Sequence, residues 1–417
     1  MASRPVAVTG IGIVTSLGKG ASVNWDKLVA GQSGIHRLTR FPTDKLRTTI
    51  GGSVDFLLEE PFSATQLTFA LAHTAAAEAV EMAGLGGPGD FPGELFLAAP
   101  PVEHEWPQRQ RLDNQAPGTP HTYKGMLAAA AQAGEDLHVD FVNGTIADRL
   151  ADEFGTKGSP ITLTTACASG ATAIQLGVEA IRRGQTKAAL AIGTDGSIHM
   201  EALIRFTLLS ALSTNNEDPT KAARPFAKGR DGFIMAEGAG ALVLEDAEAA
   251  QARGATILGY IRGVGEAADT FHRTRSNPNG EAIIRAMNNA LADAGVTPAD
   301  IDYINAHGTS TPENDKMESF GIQAVFGERA SKVPASSNKS MIGHTLTAAG
   351  AVEAAISILT LQHQILPPTI NCDVPDPTIS LDLVPNVARP AKVDTILSSS
   401  FGFGGQNVCL VIGRNPA

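Results

Sequence analysis

The sequence predicts an α/β protein made of two similar halves. Short β-branched or Ala/Val-rich runs alternate with longer runs of helical periodicity along most of the chain. In each half, one strand leads into a polar or reactive residue and then into a helix rich in Ala and Gly. These stretches read ITLTTAC followed by ASGATAIQLGVEAI, and VPASSNKS followed by MIGHTLTAAGAVEAAI. Many of the 43 glycines of the 417-residue chain sit where strands meet helices. This repeated order of events marks an internal duplication, with a boundary near residue 252 in the stretch ARGA.

In chain order, Val6-Ala7-Val8-Thr9 is a strand running into a structural turn at Gly10-Ile11-Gly12. Position 15 is Thr, so the third glycine of a dinucleotide fingerprint is absent. Residues 65–84 form a helix stopped by Gly84, and 94–99 a short buried strand. Residues 101–125 are rich in Pro, Gln, Arg and His and read as an irregular cap or insertion. Residues 161–166 form a strand, 168–184 a small-residue helix closed by Gly184, and 188–193 and 240–245 two further strands.

The second half repeats the theme. Residues 280–295 are a helix, 301–306 a strand, 312–326 a helix opened by Thr311-Pro312, and 333–337 a strand. Residues 345–364 are a second small-residue helix, and 395–399 and 407–413 are strands. Small residues let a helix approach its neighbour closely, so the two Ala/Gly helices predict a buried central layer.

Composition excludes several classes. Hydrophobic residues at 43% and charged residues at 18% give a globular balance. The net charge is −11 and no Lys/Arg-rich run is present, which argues against nucleic acid and against an anionic membrane surface. No uncharged apolar run reaches the roughly 18 residues of a membrane span. The N-terminal MASRPVAVTGIGIV enters strand-like sequence at once, without the pattern of a signal peptide. Three cysteines are too few for a disulfide framework, so a reducing cytoplasm is the expected compartment.

Cys167 ends one strand and opens a helix. A thiol there feels the positive end of the helix dipole and its free N–H groups, which is expected to lower its pKa. The same N–H groups can hold an oxyanion, and Ala168-Ser169-Gly170 permit a tight elbow. A buried structural thiol is the competing reading, and it is the better one for Cys409, inside a strand pattern. His307 ends strand 301–306 in NAHGTSTP, and His344 follows Gly343 in NKSMIGHT. Two strand-end histidines and a strand-end cysteine suggest an activated thiol, with a histidine free to donate to a carbonyl. Zinc would need closer ligand spacing. Lys339 lies five residues before His344, and Asp315 and Glu318 share a helix face that could partner it. Spacing leaves open an ion at Glu318. The segment FGFGGQN at 401–407 sets Phe401 and Phe403 among three glycines, a loop able to bring N–H groups to a ligand and swing an aromatic gate.

Together these residues resemble the β-ketoacyl-acyl carrier protein synthases, nearest to the type II elongating condensing enzymes. The matching motifs are TACASGA around Cys167, RPFAKGRDGF at 224–233, NAHGTSTPENDKME at 305–318, NKSMIGH at 338–344 and FGFGGQN. The resemblance implies a thiolase-like, five-layer αβαβα fold of two pseudo-symmetric halves, 1–252 with the nucleophile and 253–417 with the histidines. It implies an acyltransferase that joins a Cys-bound acyl chain to malonyl-acyl carrier protein with loss of CO2, in fatty acid biosynthesis.

Carried over residue by residue, Cys167, His307, His344 and Lys339 are the catalytic set. The N–H groups of Cys167 and Phe403 form the oxyanion hole, and Asp315 and Glu318 belong to the charge network of Lys339. Thr309 and Thr311 bind the pantetheine arm, Phe403 and Phe233 gate the malonyl pocket, Phe206 lines the acyl pocket, and Phe401 is a further substrate-binding residue. No cofactor or metal is implied. The partners are acyl carrier protein and a second subunit, in a homodimer or in a heterodimer with a related synthase.

Three stretches depart from the family pattern. The chain reads AAPPVEHEWPQRQR where a glycine-rich stretch lines the partner's acyl pocket, SATQLTFALAH where a helix carries Lys and Arg for carrier docking, and Ser210 where Arg is common. A polyketide-type synthase shares the same triad, and a non-catalytic chain-length subunit shares the fold but lacks the nucleophile. A thiolase would need a second cysteine in the FGFGGQN loop, and a Cys/His hydrolase leaves most of the motif set unused.

Overall fold

The computed structural model describes residues 5–103, 105–115, 122–132 and 142–416. Ten strands carry the architecture. The first half supplies β1 (Val6–Thr15), β2 (Glu94–Ala98), β3 (Ile161–Leu163), β4 (Ala188–Asp195) and β5 (Gly238–Asp246). The second half supplies β6 (Gly259–Ala268), β7 (Tyr303–Asn305), β8 (Pro334–Ser336), β9 (Thr395–Phe401) and β10 (Gln406–Gly413).

Their spatial order is β3-β2-β4-β5-β1 in the first half and β8-β7-β9-β10-β6 in the second. Each half therefore places its strands in the order third, second, fourth, fifth, first. The pair senses match as well. β2 runs parallel to β3 and β4, as β7 does to β8 and β9, and the remaining pairs within each half are antiparallel. Val6–Val8 of β1 pairs antiparallel with Gly259–Ile261 of β6 and joins the halves.

Five principal helices complete the layers: α1 (Ala64–Ala83), α2 (Ser169–Arg182), α3 (Glu281–Asp293), α4 (Pro312–Phe326) and α5 (Ala349–His363). α1 covers the outer face of the first half and α3 that of the second. α2 and α5 lie between the two halves of the sheet, against each other and against strands of both halves. The result is the thiolase-like αβαβα arrangement. α5 is buried from Ala349 to Leu361, as a central helix must be. The glycines of this layer are reciprocal. A Cβ on Gly170 of α2 would stand 2.5 Å from the Ala351 nitrogen of α5, and one on Gly350 2.5 Å from the Ala171 nitrogen of α2.

The predicted turn at Gly10–Gly12 is instead strand interior. β1 continues through both glycines to Thr15, with a register shift between Val8 and Gly10. Their smallness serves packing: a Cβ on Gly12 would lie 1.9 Å from the Ala75 carbonyl oxygen of α1, and one on Gly10 2.0 Å from that of Ala79. Gly12→Val is expected to lower stability by about 1–3 kcal/mol through overpacking. The urea midpoint at unchanged slope reads this, and an unmoved midpoint would remove close approach as the reason for glycine here.

Other boundaries move. The strand read at 161–166 ends at Leu163, because Thr165–Ala168 already forms the elbow into α2. The stretch read as irregular at 101–125 contains helices at Trp106–Asn114 and Tyr123–Ala130; residues 104 and 116–121 lie outside the described residues. The first is opened by a capping box of Glu105 and Gln108 with Pro107 in the first turn, so local capping offsets a polar sequence. Helices at Ala21–Val29, Thr145–Phe154 and Met200–Leu208 also escape the sequence reading.

Candidate active site

Cys167 sits in the elbow between β3 and α2. Ala166 before it has φ +51°, a left-handed conformation that costs energy for a residue with a Cβ. Ser169 holds the bend: its hydroxyl donates to the Ala166 carbonyl at 2.6 Å and accepts the Thr165 N–H at 2.7 Å. The bend turns the thiol toward the second half while leaving it 8% exposed.

The histidines come from the second half. His307 follows β7, and Glu318 of α4 fixes its backbone by accepting the His307 N–H at 2.8 Å and the Gly308 N–H at 2.7 Å. His344 follows the short helix Lys339–Ile342, and its N–H donates to the Ile234 carbonyl at 2.7 Å. Each of the three side chains has a thiol or ring-nitrogen atom, and these atoms lie within 4.8 Å of one another. The two imidazoles meet edge to face at 5.3 Å.

Hydrogen bonding sets their tautomers. The Leu346 N–H donates to His344 Nδ1 at 3.2 Å, which puts the ring proton of neutral His344 on Nε2. That Nε2 is buried and has no partner among the described residues. Lys339 Nζ lies 3.3 Å from His307 Nδ1, and an ammonium has no lone pair, so Nδ1 accepts and Nε2 again carries the proton. Burial, helped by the Lys339 charge, holds both imidazoles well below the usual histidine range. Both are neutral donors near pH 7.

The expectation for the thiol is corrected. Burial pushes Cys167 up to about 11, and it wins over the Phe403 N–H, the Lys339 charge and the residue's own N–H, which all pull it down. The thiol is protonated near neutral pH. The two N–H groups that address the sulfur are those expected for the oxyanion hole, from Cys167 and Phe403.

The charge network also differs from the reading. Lys339 pairs with Glu353 of α5, both nearly fully buried. The Lys339 charge reaches Glu318 only through space, while the Glu318 oxygens serve the His307 and Gly308 backbone, and burial raises Glu318 to about 7. Asp315 reaches this network through Glu318, whose carboxyl its charge raises, and Asn314 donates to both acids, at 3.2 and 3.4 Å. Asp315 also accepts the Phe226 N–H at 2.8 Å and the Ser310 N–H at 3.2 Å and faces Arg230 at 3.4 Å. The sequence did carry a signal for Glu353, the one charged residue in AGAVEAAISILTLQ. Asp195 was missed too; it accepts the Thr347 hydroxyl at 2.7 Å beside the thiol.

The cluster lies in a cavity of about 620 Å³. Phe206, Phe233, Phe401, Phe403, Thr309 and Thr311 all line it. Phe206 meets Phe233 edge to face at 5.4 Å, and Phe233 meets His344 at 5.3 Å. Phe401 stands 5.7 Å from the His307 ring. Thr309 and Thr311 share a hydroxyl contact of 2.9 Å, and Thr311 also caps α4. The structure thus gathers one buried thiol, two neutral imidazole donors and two backbone N–H groups beside an aromatic wall.

Comparison with known proteins agrees with this geometry. The family described as beta-ketoacyl synthase, N-terminal domain, matches residues 3–86 and 114–250, and beta-ketoacyl synthase, C-terminal domain, matches 258–373. A 3-oxoacyl-[acyl-carrier-protein] synthase 2 of Coxiella burnetii is 38% identical, covering 99% of each chain. The tetracenomycin polyketide synthase ketoacyl synthase alpha subunit of Streptomyces glaucescens is 36% identical over 99% of this chain and 98% of its own. A solved type II polyketide ketosynthase, bound to a hexaketide and in complex with its acyl-carrier protein, superposes with TM-score 0.87 at 30% identity, covering 99% of this chain and all of its own. With both halves matched and full-length relatives well above 30% identity, the chain belongs to the beta-ketoacyl synthase family of condensing enzymes.

Proposed function

We propose that the protein extends an acyl chain by decarboxylating condensation with a malonyl thioester on acyl carrier protein, in fatty acid biosynthesis. The observation that carries this is the convergence of the Cys167 thiol with the Nε2–H donors of His307 and His344 at one cavity wall. The Cys167 sulfur attacks the acyl thioester, and the N–H groups of Cys167 and Phe403 hold the resulting oxyanion. The carrier leaves as a thiol, taking up the proton that Cys167 gives. The malonyl arm then enters past Thr309 and Thr311. The carboxylate departs as CO2, and its bonding pair becomes an enolate whose oxygen accepts from His307 and His344. The enolate carbon attacks the Cys167 thioester, the Cys167 sulfur is expelled as a thiolate that takes a proton from solvent water, and a 3-oxoacyl chain two carbons longer remains on the carrier. Lys339 acts as a positioning residue, holding His307 in its donating tautomer.

In this reading residues 1–252 and 253–417 are the two halves of one ketosynthase unit, acting in the cytoplasm. No described helix is long and apolar enough to cross a membrane. Edge strand β3 leaves Ile161 42% exposed, which supports a dimer closed along that edge, between identical or related subunits. Cys167 weighs against a non-catalytic partner subunit. A polyketide-type role is the second reading, favoured by the similar identity to the tetracenomycin subunit. The aromatic wall favours reduced chains, since a poly-β-keto chain brings carbonyls that need donors. Incubation with malonyl carrier and either saturated or β-keto acyl carriers, with products weighed, is expected to give extension of the saturated chains. Extension of β-keto chains alone would transfer the protein to the polyketide reading.

A further inference from the structure

The mouth of the active-site cavity carries Arg273, Arg275 and Lys316, all exposed. None forms an ion pair among the described residues. The chain around them is acidic, with net charge −11. Of the three acids along the same cavity, two are engaged. Asp269 accepts the Phe271 and Asn277 N–H groups, and Asp231 accepts the Ser213 hydroxyl and Thr214 N–H. Glu313 is the exposed exception.

The backbone that carries the arginines is also anchored. Their segment is bonded to the glycine loop that presents Phe403. The Gly404 N–H donates to the Arg273 carbonyl at 2.7 Å, and the Asp269 N–H to the Gly405 carbonyl at 2.8 Å. Meanwhile α1 contains neither Lys nor Arg. Any long thioester arm reaching Cys167 must pass the mouth where these cations stand.

Resting on the proposed carrier-dependent reaction, we infer that Arg273 and Arg275, faced by Lys316, are the docking contact for an acidic carrier protein. They would take its phosphodiester and neighbouring carboxylates at the cavity mouth. Guanidinium forks suit a phosphate oxygen pair, and rim charges act chiefly on encounter.

The test measures acylation of Cys167 by intact mass, in wild type and in an Arg273→Ala/Arg275→Ala variant. Three acyl donors are compared: the carrier, coenzyme A, and the small phosphate-free N-acetylcysteamine thioester. The carrier rate relative to the phosphate-free rate is expected to fall about tenfold, with a weaker salt dependence. The loss should be smaller for coenzyme A, and Arg273→Lys/Arg275→Lys should restore most of it. Equal losses for carrier and phosphate-free donor would overturn the assignment, leaving the arginines as loop supports. Equal losses for carrier and coenzyme A would replace protein docking by a bare phosphate contact. Failure of wild type with every donor would overturn the condensation reading itself, and the docking assignment with it.

Discussion

Cys167→Ala is expected to abolish both acyl uptake and condensation, by about three orders of magnitude or more, because the covalent step has no substitute nucleophile. Cys372 and Cys409 are buried, and neither lines the cavity. Intact mass after incubation with an acyl carrier reads the effect: wild type gains one acyl group and the variant none. Acyl uptake by the variant would place the nucleophile elsewhere. The pH dependence adds a second readout. Burial raises the thiol to about 11, so the reactive thiolate is the minor form at neutral pH and its share grows about tenfold per unit of rising pH. Alkylation of Cys167 by iodoacetamide should climb steadily from pH 6 to 9, and a plateau near pH 7 would mean that a preformed thiolate overrides the desolvation seen here.

That correction shows which part of the site a sequence can carry. The position of Cys167 at a strand–helix junction was legible, because β-branched residues and small helix formers meet there. Its ionisation was not, because desolvation depends on what the other half of the chain places over it. α1, α4 and α5 were read closely from periodicity, Gly84 and Thr311-Pro312. The turn read at Gly10–Gly12 failed because a glycine that frees the backbone looks the same as one that makes room for a helix. The partner of Lys339 was sought in Asp315 and Glu318, which share a helix face, although Glu353 stands nearer in sequence. Glu353 was passed over, although an acid inside an apolar helix has to be paired or neutral. The duplicated strand order is likewise a property of pairing, and only its outline shows in the repeated strand–helix theme.

Lys339→Ala is expected to lower stability by about 3–5 kcal/mol, since it leaves the Glu353 carboxylate buried without its partner. Lys339 is 2% and Glu353 1% exposed, so water cannot take over the role. Glu353 already has one buried oxygen without a partner among the described residues, and burial raises it to about 7 even with the Lys339 charge pulling it down, so in the variant the carboxyl takes up a proton near neutral pH and still leaves buried oxygens short of donors. The variant also frees His307 Nδ1, letting the ring proton move off Nε2, where the proposed enolate contact needs it. A second variant separates the two effects. Lys339→Met/Glu353→Leu replaces the pair with apolar side chains and should recover most of the unfolding free energy, because a buried ion pair seldom outperforms a packed apolar one. It should not recover CO2 release from malonyl carrier, since no ammonium then holds His307 in its donating tautomer. A double variant that is both stable and fully active in decarboxylation would reduce Lys339 to a structural residue. A stable but inactive one would make the Lys339–His307 contact the reason for burying a charge against the fold's own interest.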